Sequence, residues 1–81
     1  MKIHSLKILP EYFQAILSGK KKFEIRKNDR DYKAGDILLL NEWNGEKFTG
    51  NTLSKKVTYI LGCESGYVLD GYVVMSIEDR G

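Results

Sequence analysis

Lys21, Glu24 and Arg26 carry the sharpest chemical signal in the chain. They lie in the stretch GKKKFEIRKNDR, Gly19 to Arg30, where only Phe23 and Ile25 are large and apolar. Between Lys20 and Lys33 seven basic side chains stand against three acidic ones, while the whole chain carries a formal charge of only +2. A positive field concentrated in this way is what a phosphate-bearing partner needs. Lysines so placed equally keep a small β-protein dispersed and its sheet edges unpaired. Glu24 and Arg26 are two positions apart, so on a strand they share a face, roughly 6–7 Å apart along it, and their tips can meet. A carboxylate in that position orients the guanidinium and leaves donors free for a phosphate or a base edge. A fully exposed pair of the same spacing is worth only ~0–1 kcal/mol. Lys21 has the opposite parity and joins the other two only if the chain leaves Gly19 irregularly, which glycine permits. Asn28, on the face of Glu24 and Arg26, offers a donor and an acceptor. Arg30, with Asp29, forms a rim in the following turn.

Those side chains need a frame, and the flanking sequence supplies one. HSLKILP alternates apolar and polar residues and predicts a first strand ending at Pro10. Pro10 suits the first turn of a helix, where its missing N–H costs nothing. Leu9, Tyr12, Phe13, Ile16 and Leu17 recur with helical spacing, and Ser18-Gly19 ends the helix. Tyr12 and Phe13 are expected in the core. In KFEIRKN, Phe23 and Ile25 point one way and Lys22, Glu24, Arg26 and Asn28 the other. DILLLNEW alternates too little for a half-exposed strand, so both its faces must be covered. Asn44-Gly45 is a hairpin signal, and Gly50-Asn51 marks a second bend or a bulge. LSKKVTYIL predicts a strand with Leu53, Val57, Tyr59 and Leu61 on one face, and YVVMSIE a last one. About five to six strands and one early helix make a compact, barrel-like α+β domain over residues 1–81.

Composition excludes several classes of function. No apolar run approaches the roughly 20 residues of a membrane helix, and the polar N-terminus is not a signal peptide. The single cysteine, Cys63, cannot form an internal disulfide and fits a reducing, cytoplasmic setting. One histidine, His4, and no cysteine pair leave no zinc site, and no cofactor is expected. Trp43 and Tyr59 can stack a base, but packing is the commoner use of such residues. Tyr67 and Tyr72 flank the C-terminal loop and read as packing or as walls of a cleft. His4 reads as a strand-surface residue and Cys63 as a small buried one.

Gly19, Lys21, Glu24 and Arg26 spell G-x-K-x-x-E-x-R, after the helix PEYFQAILSG and before the strand AGDILLL. In that setting the chain resembles the ASCH family, and in particular a small ASCH-related group of bacterial and phage proteins of uncharacterised function. TYILGCESGYVLDGYVVMSI is similar to the C-terminal half of that group, so the likeness spans nearly the whole chain. The resemblance implies a PUA-like β-barrel with a cleft beside the motif, and RNA or a nucleotide-like molecule as partner. The expected cleft lies between the helix exit, the motif strand and the C-terminal loop, with Lys21, Glu24, Arg26, Asn28 and Arg30 holding the ligand. Some small ASCH proteins are amidohydrolases acting on acetylcytidine through Lys, Thr and Glu. Glu24 occupies the position of that Thr, and a carboxylate does not replace a hydroxyl nucleophile in acyl transfer. A binding module is therefore expected rather than an enzyme. A small hydrolase acting on a modified nucleoside or RNA, and a protein-interaction module used in transcription, are the alternatives.

Overall fold

In a computed structural model, which describes residues 1–80, the alternating segments become strands of one curled sheet with a single helix. The elements are β1 (Ile3–Ile8), α1 (Pro10–Leu17), β2 (Phe23–Lys27), β3 (Ile37–Trp43), β4 (Phe48–Leu61) and β5 (Tyr72–Asp79), with a short 3-10 turn at Cys63–Ser65. The order across the sheet is β1-β3-β4-β5-β2, with β1 parallel to β3 and every other pairing antiparallel. This is a barrel-like α+β fold. Among the described residues no helix is long and apolar enough to cross a membrane.

The core follows the alternation. Leu6 and Ile8 of β1 meet Leu38 and Leu40 of β3, Val57 of β4 and Val73, Met75 and Ile77 of β5. β3 is covered along its length, as its apolar run requires. The helix closes the core with Phe13 and Ile16 alone, whereas Leu9, Tyr12 and Leu17 are about half exposed. Two turns of helix can bury only a narrow stripe, so Tyr12 is not a core residue. Tyr32, in the loop before β3, supplies a core residue that turn chemistry alone does not reveal, and burial pushes its hydroxyl pKa up.

Two bulges revise the expected faces. In β4, Val57 pairs with Ile77 but Tyr59 pairs with Ser76, so one extra residue, Thr58, enters the strand. An extra residue reverses the parity of everything beyond it. Val57 is therefore buried, Tyr59 is 64% exposed and Ile60 packs on the core instead. The second irregularity lies where Asn41 pairs with Thr52 and Trp43 with Phe48, around Gly50 at φ +96°. It is held by the buried carboxylate of Glu42, which accepts from Thr49 Oγ1 at 2.7 Å and Asn51 Nδ2 at 3.0 Å.

His4 and Cys63 also depart from expectation. His4 is buried, with Nε2 2.8 Å from Asp36 Oδ2 and its ring 4.7 Å from that of Tyr32. Its partner lies 32 positions away, beyond the reach of local pattern. Cys63 is exposed, because the 3-10 turn it opens buries none of its residues. Tyr67 is 92% exposed, and Tyr72 is half-buried.

The exit from α1 sets up the motif. Gly19 adopts φ +81°, and the Lys21 N–H then reaches back to the Ala15 carbonyl at 2.9 Å. A Cβ at Gly19 would meet nothing within 4 Å, so the requirement is conformational rather than steric crowding. Gly19→Ala is expected to cost about 1 kcal/mol, the penalty of a left-handed alanine, read as a fall of a few degrees in Tm. An unchanged Tm would show that the turn relaxes freely.

Candidate functional site

β2 is inverted relative to an ordinary amphipathic strand. Its apolar residues Phe23 and Ile25 are 44% and 55% exposed, while Glu24 is 4% exposed. The charged face looks inward because β2 is an edge strand whose inner side faces the seam with β1, the other edge. The seam is bridged by guanidinium groups. Arg26 Nη2 donates to the Lys7 carbonyl at 2.7 Å, and Arg30 Nη1 donates to the Ser5 carbonyl at 3.1 Å. Both carbonyls belong to a strand that pairs only on its other side, with β3. Two arginines thus supply donors that a further strand would otherwise provide.

Glu24 is the hub. Its Oε1 accepts from Lys21 Nζ, and its Oε2 accepts from Arg26 Nε at 2.9 Å. Lys21 Nζ also donates to the Phe23 carbonyl at 2.8 Å. The Lys21 and Arg26 side chains keep 16% and 24% of their exposure, against 5% for Glu24. The carboxylate is thus spent on orienting two cations, each of which still faces solvent. Arg26 uses two of its five N–H donors in these bonds and Lys21 two of its three, so both retain capacity for a ligand. Two cations against one anion leave the cluster net positive.

These tips open into a cleft of about 480 Å³. One wall is Lys7, Ile8 and Leu9, where β1 passes into α1; the other is Phe23, Ile25 and Arg26 of β2, with Tyr12 and Lys21 completing it. That volume is in the range of small-molecule sites, which combine apolar walls with a few fixed polar groups. The Lys21 ammonium lies 4.9 Å from the Phe23 ring centroid and 5.7 Å from that of Tyr12, so two aromatic rings flank a cation.

The structure thus brings Lys21, Glu24 and Arg26 together and leaves Asn28 and Arg30 outside. Asn28 is exposed beyond the end of β2, where its backbone N–H bonds the Gly71 carbonyl at 2.8 Å. Arg30 is held at the seam and does not line the cleft. The C-terminal loop takes no part; the β1–α1 junction stands in its place. Lys7, Ile8, Leu9 and Tyr12 are the lining residues that the motif did not indicate. Nothing local marks Lys7 to Leu9, because the parallel β1–β3 pairing and the curl of the sheet bring them opposite β2. The residues lining the cleft include no serine, threonine, cysteine or histidine, and among the described residues no cluster suits a metal ion.

Comparison with known proteins places this geometry in a family. Over 74 residues the chain is 39% identical to the Uncharacterized 12.9 kDa protein in GpA 3'region of Escherichia phage P2. That match takes in 91% of this chain and 66% of the phage protein, so the chain spans just under two thirds of that relative. The fold is similar to the crystal structure of hypothetical protein PH0355, with a TM-score of 0.66, 25% identity, and 96% of this chain and 98% of that one covered. The model of the Domain of unknown function (DUF3850) matches residues 3–77, nearly the full length and every element of the site, and the chain belongs to that family.

Proposed function

We propose that this domain is a PUA-like, ASCH-type module that binds single-stranded RNA, holding one nucleotide in the cleft between β2 and the β1–α1 junction. The observation that carries the reading is the convergence of Lys21, Glu24 and Arg26 in a hollow with aromatic and aliphatic walls. A phosphate oxygen meets the free donors of Arg26 and Lys21. The exposed rings of Tyr12 and Phe23 offer a base the π-faces that give stacking its sequence tolerance. Glu24 keeps both cations aimed and accepts from a base amine with its remaining lone pairs. Binding is favoured over hydrolysis because the cleft offers no hydroxyl or thiol nucleophile other than the Tyr12 phenol, and because Lys21 is engaged as a donor to Glu24.

The test is the anisotropy of a labelled octaribonucleotide, titrated with wild type, Tyr12→Ala and Arg26→Ala over a range of salt. Among the described residues the Tyr12 side chain makes no hydrogen bond, and it stands half exposed, so its removal probes stacking with little structural cost. Tyr12→Ala is expected to weaken binding about tenfold. Arg26→Ala should also weaken it about tenfold and reduce the slope of log K against log salt by about 0.7, one phosphate contact. Binding that neither variant changes, or that shows no salt slope in the wild type, would overturn the reading. A free mononucleotide that competes as well as the oligomer would identify a nucleotide site rather than an RNA site.

A further inference from the structure

Lys7 belongs to the cleft, yet its ammonium points to a second feature. Its Nζ lies 4.1 Å from the centroid of Trp43 and 5.8 Å from that of Phe48. The two rings are cross-strand partners at the base of the β3–β4 hairpin and meet edge to face at 4.9 Å. Trp43 is half-buried, and Phe48 leaves 51% of its surface open. Residues 44–50 are all exposed, so the hairpin stands clear of the core and carries Lys47 beside Phe48. An open ring, a half-buried ring that orients it and a lysine shared with the neighbouring cleft make up a second place for a base.

Resting on the RNA-binding reading of the cleft, we infer that Phe48 and Trp43 form an adjacent stacking subsite, so that the domain engages at least two consecutive nucleotides. Lys7 bridges the two positions. Its backbone carbonyl is fixed by Arg26 at one side of the cleft, and its ammonium sits over the aromatic pair one side-chain length away. A phosphate linking two nucleotides meets that ammonium, one base occupies the cleft, and the next stacks on the open face of Phe48. Trp43 sets the tilt of Phe48 through their edge-to-face contact. Because the subsite is filled only by a second nucleotide, it makes the module a reader of strands rather than of free nucleotides.

Trp43 is the only tryptophan in the chain, so its fluorescence reports on this subsite directly. Uridine monophosphate, the dinucleotide UpU and octauridylate are titrated against wild type, Tyr12→Ala, Phe48→Ala and Phe48→Tyr, with Tm recorded for each variant. The monophosphate should leave Trp43 emission unchanged. The dinucleotide should quench it and bind about tenfold tighter, the gain of one stacked base. Phe48→Ala should lose that gain and keep the affinity for the monophosphate, and Phe48→Tyr should retain the gain. A dinucleotide that binds no tighter than the monophosphate, or that leaves Trp43 emission unmoved, overturns the subsite while the cleft reading stands. Quenching that depends on Phe48 but survives Tyr12→Ala unchanged keeps the subsite and removes the cleft. No binding by any of the three ligands removes both.

Discussion

Asp36→Ala is expected to lower the stability of the domain by about 3 kcal/mol, a fall of roughly 12–24 °C in Tm for a chain of this size. The Asp36 carboxylate is 3% exposed and ties the start of the chain to the entry of β3. Its Oδ1 accepts from the Lys2 N–H at 3.1 Å. Its Oδ2 accepts from the Lys33 N–H at 3.0 Å and from His4 Nε2 at 2.8 Å. Alanine leaves those donors facing a void, and each unsatisfied buried donor costs about 1–3 kcal/mol. Asp36→Asn keeps the shape but gives up one acceptor oxygen, and should fall between wild type and alanine.

The same carboxylate predicts an acid-sensitive component of stability. Burial by itself pushes the Asp36 pKa up, but the hydrogen bonds from His4, Lys2 and Lys33 outweigh it, and the net shift is downward from 3.8. A carboxyl whose folded value lies below its unfolded value binds its proton more weakly in the native state. Its contribution is therefore complete above the unfolded value of 3.8 and is lost as the pH falls through the folded value. Urea titrations at neutral pH and at pH values below 3.8 should show wild type losing more stability than Asp36→Asn. Parallel losses in the two proteins would sink this assignment.

Glu24→Ala is the second large effect expected, about 2–3 kcal/mol of stability. Breaking a buried ionic cluster by removing its central member typically costs about 3–5 kcal/mol, because partners are left charged and unpaired. Here Lys21 and Arg26 retain 16% and 24% exposure and recover some hydration, which moves the cost to or just below the lower bound of that range. The loss should exceed that of Lys21→Ala, which leaves Glu24 its bond from Arg26. The double variant Lys21→Ala with Glu24→Ala should be more stable than the sum of the single effects implies, with a coupling of about 1 kcal/mol. Additive losses in a denaturant cycle would mean that the three tips do not act as a unit.

Arg26 has a structural duty that its motif position did not announce. It closes the seam at Lys7 while serving the cleft, so its replacement tests binding cleanly only beside Tyr12→Ala. Such dual use is the natural economy of a chain of 81 residues, where few side chains are available to do either job.

The residue pattern alone specified which side chains of β2 share a face, where the helix begins and ends, and the presence of a hairpin at Asn44-Gly45. It also singled out Lys21, Glu24 and Arg26, because a charged pair at strand spacing beside a glycine-terminated helix is a local arrangement. Period-two alternation assigns Phe23 with Ile25 and Glu24 with Arg26, but it says nothing about which pair looks inward. That was decided by the position of β2 at the edge of the sheet, opposite the unpaired carbonyls of β1. The extra residue at Thr58 moved Tyr59 outward, and a bulge becomes visible only once the partner strand is known. His4 went inward because Asp36, 32 positions away, was there to bond it. Short-range order in a chain follows from sterics and spacing, whereas inside and outside depend on partners that only folding brings near.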